Sequence, residues 1–180
     1  DTAGLSGYAT GGRRNRGMPD ALIGDYIRSK GKDFIVDLPK GKYRVVAYAD
    51  GYRLHGRMRF RGYVINANGK RVATFKWPHS EFLSEKYFFR DWDRDFDPNE
   101  SVWDRWESTL CNVETFDVSP VRGKLKLRFL RDMQIHGLII YPVSKDAMAK
   151  RAIAQLHKLR KKEFYATFFP QRIPAPAELP

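Results

Sequence analysis

Between residues 57 and 75 the chain has one natural conformation, a pair of antiparallel strands. Arg57 to Ile65 runs Arg-Met-Arg-Phe-Arg-Gly-Tyr-Val-Ile, with Met58 and Phe60 on one side and Arg57, Arg59 and Arg61 on the other. That period of two belongs to a strand. Asn66-Ala67-Asn68-Gly69 follows, and Asn-Gly is the dipeptide best suited to a hairpin turn. Arg71 to Phe75 is the return strand.

The same grammar recurs elsewhere. Asp33 to Leu38 places Phe34 and Val36 on one side and Asp33, Ile35 and Asp37 on the other, a half-buried strand. Pro39-Lys40-Gly41-Lys42 is a turn in which Gly41 is free to take a positive φ. Tyr43 to Ala49 is β-branched and aromatic, a second strand. Thr115 to Val118, Lys124 to Leu130 and Ile135 to Tyr141 are three more, and Ser119 to Gly123 turns between the first two. At least seven strands with short turns predict an all-β fold, an antiparallel β-sandwich. Residues 1–20 read as an extended arm or loop, and Pro19 to Ile23 as one helical turn. Near the end the pattern changes. Ser144 is a suitable N-cap, Asp146 suits a first turn, and Met148, Ala152, Leu156 and Leu159 recur at helical spacing. This predicts one amphipathic helix to about Tyr165. Pro170, Pro174, Pro176 and Pro180 then mark a stiff linker-like tail. The expected organisation is a sandwich over 1–143, a helix over 144–169 and a Pro-rich tail over 170–180.

Charge narrows the partners. The 180 residues carry a net charge of +12, which favours polyanions, either nucleic acid or an acidic polysaccharide. The distribution is patchy. Residues 145–163 hold seven Lys/Arg against two acids, whereas residues 76–107 hold five against nine. Cys111 is the single cysteine, so an intrachain disulfide and a cysteine-based zinc cluster are excluded. No apolar run approaches spanning length, so no membrane partner is expected. The chain opens on Asp1 with no signal peptide, and we read it as a processed piece.

Phe34-Ile-Val-Asp-Leu-Pro-Lys-Gly-Lys-Tyr-Arg-Val-Val46 resembles the opening of the β-jelly-roll in galactose-binding-like and malectin-like domains. Leu38, Pro39, Gly41 and Tyr43 match that family's Leu-Pro-x-Gly-x-Tyr pattern. Gly123-Lys-Leu-Lys-Leu127 resembles its penultimate strand, and Ile135 to Pro142 its closing strand. The likeness spans roughly residues 33–142. Where the family often carries Gly-Asp, this chain has Asp50-Gly51. Such domains are accessory modules on polysaccharide lyases, glycoside hydrolases and rhamnogalacturonan-acetylesterase-like proteins. The resemblance therefore implies a jelly roll, a sugar ligand, an adjacent catalytic domain in the full-length protein, and a secreted, periplasmic or cell-surface location.

Three segments are candidate sites. Residues 76–108 are long and irregular and contain all four tryptophans, as functional loops often do. Trp77, Tyr87, Trp92, Trp103 and Trp106 offer flat faces for sugar rings, and Arg90 offers a planar donor. The same rings would equally glue an insertion onto the body. Arg53, His55, Arg57, Arg59 and Arg61 form the second group. Arginines two apart stand about 7 Å from one another on a strand and suit carboxylate or sulfate groups; an edge strand guarded against aggregation has the same look. The third is Asp91, Asp93 and Asp95, whose alternate carboxylates suit calcium, or salt bridges with Arg94. Catalytic signatures are thin. His55, His79, His136 and His157 are scattered, and no Gly-x-Ser-x-Gly elbow occurs. The expectation is a non-catalytic carbohydrate-binding module for an acidic or sulfated polysaccharide, needing no cofactor beyond a structural calcium. The alternatives are a sandwich that braces an adjacent enzyme, a small polysaccharide lyase or hydrolase, and a nucleic-acid-binding protein. The last is disfavoured because the aromatic-rich loop is acidic.

Overall fold

The structure is a computed structural model that describes residues 6–8, 22, 26–28, 31–50, 62–76, 101, 103–104, 112–131 and 133–168. It is mostly β, with two antiparallel sheets and one C-terminal helix. The strands are β1 (Ser6–Tyr8), β2 (Tyr26–Arg28), β3 (Asp33–Asp37), β4 (Tyr43–Asp50), β5 (Tyr63–Ala67), β6 (Lys70–Phe75), β7 (Asn112–Val118), β8 (Lys124–Leu130) and β9 (Gln134–Pro142). One sheet has the order β1-β2-β9-β4-β7 and the other β3-β8-β5-β6. From β3 to β9 every connection except the β5–β6 hairpin passes from one sheet to the other.

The alternation along β4 and β8 explains why the sheets share a core. Tyr43, Val45, Ala47 and Ala49 of β4 join Leu125, Leu127 and Phe129 of β8 and Tyr63, Ile65 and Ala67 of β5 in one buried cluster. Ile65, Leu125, Leu127 and Phe129 have no exposed surface. Burying side chains of this kind stabilises by roughly 1.5–3 kcal/mol each. A hydrogen bond crosses from sheet to sheet, as the Tyr63 hydroxyl donates to Glu114 Oε1 at 2.7 Å.

The turns carry the register. In the β5–β6 hairpin the loop is the two residues Asn68 and Gly69, with φ of +48° and +82°, so both sit in the left-handed region a tight primed turn demands. Asn66 and Ala67, expected in the turn, belong to β5. Arg122 and Gly123 make a similar turn before β8, closed by paired bonds between Val121 and Lys124. Leu38 N–H donates to the Gly123 carbonyl at 2.9 Å, tying two of the inter-sheet connections together.

Several expectations need correction. Ser6–Tyr8 is not an arm but a strand, paired with β2, which the sequence reading also missed. Both are three residues long, too short for a period to show. Gly41 is absent from the described positions of positive φ. Its role is room, since a Cβ there would lie 3.3 Å from the Tyr43 ring, and Tyr43 uses that position to donate its hydroxyl to the Pro39 carbonyl at 3.1 Å. Ser144 does not cap the helix. It lies within a 3-10 turn, Val143–Lys145, and α1 runs Asp146–Phe168. Of the expected apolar stripe, Met148 and Leu159 are 62% and 65% exposed, and Ala152 is exposed. The covered face is instead Ala149, Ile153, Leu156, His157, Arg160 and Phe164. The hydrophobic spacing suggested a face; the aromatic and cationic contacts of Arg160 and Phe164 set the one that is used.

Candidate polyanion interface

The sequence of β8 is Lys124-Leu-Lys-Leu-Arg-Phe-Leu130. Because Leu125, Leu127 and Phe129 enter the core, Lys124, Lys126 and Arg128 stand together on the opposite side, about 7 Å apart in turn. Their strand neighbours complete the surface. Across β3 they face Asp37, Ile35 and Asp33 respectively. Across β5, Arg128 faces Asn66, which in turn faces Arg71 of β6. At the far end Val64 is buried and Leu130 half-buried, so the open area is the charged part.

The cations differ in availability. Arg128 is engaged as a fork, donating from Nε to Asp33 Oδ1 at 2.7 Å and from Nη2 to Oδ2 at 3.1 Å. Hydrogen bonding from Arg128 holds the Asp33 carboxyl below the usual range against a smaller opposing effect of burial. Lys124 lies 3.5 Å from Asp37, with both side chains more than half exposed, a contact that solvent weakens. Lys126 is exposed and opposite Ile35; it makes no salt bridge to a described carboxylate, although its charge helps to hold the Asp33 carboxyl low. Its backbone is held firmly, since Lys126 N–H donates to Asn68 Oδ1 at 2.9 Å and its carbonyl accepts from Asn68 N–H at 2.8 Å. Asn66 Oδ1 is shielded from solvent and accepts no hydrogen bond from the described residues. The arrangement can hold an extended anion by charge; it contains no nucleophile–base pair.

On the outer side of the other sheet, α1 lies against β4 and β9. Arg44 of β4 binds Asp117 of β7 through Nε and Nη2, at 2.8 and 3.3 Å, and Asp146 of α1 through Nη1 at 2.5 Å. Lys42 adds to Asp117 at 3.3 Å, and Lys150 to Asp146 at 2.8 Å. Tyr141 donates to Asp146 Oδ1 at 3.1 Å. Both carboxyls are held below their usual range, Asp117 chiefly by the Arg44 bond and Asp146 chiefly by Lys150. Burial, then the bond to Asp146, raises the Tyr141 phenol. Because the carboxyl pKa values are depressed in the folded state, their stabilisation is complete above the unfolded value and disappears as pH falls through the folded one. The thermal midpoint should therefore hold from pH 7 to pH 5 and drop below about pH 4. Asp146→Asn should lower the midpoint at pH 7 and flatten that drop. An unchanged acid slope in thermal melts of this variant would remove the network from the explanation.

Further along the helix, the Tyr48 hydroxyl lies 3.2 Å from His157 Nε2. The Arg160 guanidinium, 4% exposed, sits 5.8 Å from the Tyr48 ring centre and 5.2 Å from that of Trp103. Trp103 meets Phe164 edge-on at 5.4 Å, and its backbone N–H donates to the Tyr165 hydroxyl at 3.4 Å.

Trp103 was expected to stack on sugar. It is 3% exposed and fastens its segment to α1, so its faces are not available to a ligand. Arg53, His55, Arg57, Arg59, Arg61, Trp77, Tyr87, Arg90, Trp92 and Trp106 lie outside the described residues, as do the proposed calcium ligands Asp91, Asp93 and Asp95. Among the described residues no cluster of His, Cys, Asp and Glu could hold a metal ion, and no helix is long and apolar enough to cross a membrane. The β8 cation row is not among the sites expected from sequence. Its signal was present, since Lys-Leu-Lys-Leu-Arg shows the alternation used for Arg57–Arg61.

No protein-family model matches the chain, and no curated protein matches it. A similar solved structure is the crystal structure of the protein YxiM from Bacillus subtilis, 14% identical, covering 78% of this chain and 30% of that one, with a TM-score of 0.43. The chain thus spans less than a third of YxiM's length, and a likeness of this degree carries no functional argument.

Proposed function

We propose that the chain is a non-catalytic carbohydrate-binding module, a β-sandwich of the jelly-roll kind, which holds an acidic or sulfated polysaccharide for a catalytic domain of a larger secreted protein. The jelly-roll part is supported by the repeated passage of the chain between two sheets that share a core. The observation that carries the ligand class is the line of Lys124, Lys126 and Arg128 on the outer side of the four-stranded sheet. A row of cations on a rigid strand suits a linear polyanion whose charges recur along its length.

The test is affinity electrophoresis of the intact chain through gels containing polygalacturonate, alginate, a sulfated galactan or a neutral glucan. Retardation by an anionic polymer, weakening with salt, and about a tenfold loss for Lys124→Gln/Lys126→Gln are expected. Equal retardation by the neutral glucan would defeat the proposal, as would an unaffected variant. A bracing role is the second reading. It is favoured by the burial of Trp103 and by the engagement of the Arg44 and Arg128 forks with carboxylates, and its mark would be no retardation in any gel.

A further inference from the structure

We infer that the outward side of α1 is a second polyanion-binding surface, so that the protein bridges two chains of an anionic polysaccharide. This rests on the ligand class proposed above. From Ala147 to Phe168 the helix carries six Lys/Arg and a single acid, Glu163. Arg160 is buried and Lys150 is paired with Asp146. Arg151, Lys158 and Lys162 are exposed, and no described carboxylate pairs with them. Positions i, i+7 and i+11 fall on one side of a helix, here along about 16 Å of its axis. A helix side that is merely solvated usually intersperses acids at i+4. Lys158 and Lys162 are instead like charges four apart, an arrangement that destabilises an isolated helix and that an anionic partner would relieve.

The shape of the surface selects the partner. The charges lie in a line on a convex surface, which suits a polymer better than a small anion. An interfacial helix on a lipid surface needs a continuous apolar side, whereas among the described side chains of α1 only Met148 and Leu159 are large, apolar and exposed, eleven positions apart. Placement gives the bridging. Tyr48, Arg44 and the rest of the α1-facing side of β4 point away from the shared core, as do Lys124, Lys126 and Arg128 of β8 on the other sheet. The two cation rows therefore lie on opposite sides of that core, and one short segment of polymer cannot touch both.

Short dextran sulfate oligomers and long dextran sulfate are the probes, with the intact chain at near-physiological salt. Calorimetry should give two oligomers per protein, and light scattering should show the long polymer cross-linked. Arg151→Gln/Lys158→Gln/Lys162→Gln, all exposed positions, should bind one oligomer and lose the cross-linking while melting as the parent does. Lys124→Gln/Lys126→Gln should also fall to one. A single oligomer on the parent protein, or a helix variant that still cross-links, would overturn the second surface and leave the sheet interface standing. Loss of both oligomers in the helix variant, with both retained in the sheet variant, would instead overturn the sheet interface. Tighter binding of duplex DNA than of dextran sulfate to the helix surface would overturn the assigned partner.

Discussion

Gly62→Ala is expected to destabilise the fold by about 3 kcal/mol or more, the combined effect of a left-handed backbone and a backbone clash. Gly62 has φ +66° and stands immediately before β5. A Cβ there would fall 2.1 Å from the Phe75 carbonyl oxygen and 3.1 Å from Lys76 Cα. Neither neighbour can swing aside as a side chain would. Relief requires moving the end of β6 away from β5, where Tyr63 pairs with Phe75 and their rings stack at 5.4 Å. The Tyr63 bond to Glu114 would be disturbed with them. Gly69→Ala supplies the comparison. It has φ +82° but nothing within 4 Å of the added carbon, so it should lose only about 1–2 kcal/mol. Urea midpoints with unchanged m-values would measure both. Equal losses for the two variants would mean that the close approach of Phe75 has no energetic consequence.

What the sequence disclosed, and what it withheld, follows from how local each signal is. Asn68-Gly69 announced its hairpin because the left-handed turn is a property of two adjacent residues. Strand β3 was legible from its alternation and β4 from its run of β-branched and aromatic residues, because each signal lies within a single segment. The helix was legible as a helix, but its orientation was not. Met148, Ala152, Leu156 and Leu159 form an apolar stripe by spacing alone, yet the sheet beneath α1 offers Tyr48 and the neighbouring Trp103, surfaces on which a guanidinium and a phenyl ring pack better than aliphatic chains. That choice depends on residues 48 and 103, distant in sequence, so helical periodicity could not contain it. The candidate site suffered the opposite error. Arginines and tryptophans are conspicuous by composition, whereas the lysines of β8 show only as an alternation within one strand. Trp103 illustrates the cost of composition as a guide: an indole suits a sugar ring and a helix seam equally, and only packing separates the two.

The helix orientation yields the second large effect. Phe164→Ala should cost about 3–5 kcal/mol, the range for truncating a fully buried aromatic side chain, since Phe164 has no exposed surface. Its ring meets Trp103 at 71° and Tyr165 at 87°, each with centroids 5.4 Å apart, so its loss leaves a void between α1 and the segment bearing Trp103. The Arg160 guanidinium over Trp103 would then lose its packing as well, and a poorly supported buried cation adds to the penalty. Leu159→Ala provides the sharp contrast. On the expected stripe it would be a core substitution of 2–5 kcal/mol; at 65% exposure it should change stability by less than about 0.5 kcal/mol. Thermal and urea unfolding of the two variants, followed by near-ultraviolet circular dichroism for the aromatic environment, would separate these outcomes. A larger loss at Leu159 than at Phe164 would mean that the helix is seated by its aliphatic stripe. Arg151, Lys158 and Lys162 would then stand on the flank of the helix and no longer diametrically away from the sheet, and the placement argued for the second binding surface would no longer hold.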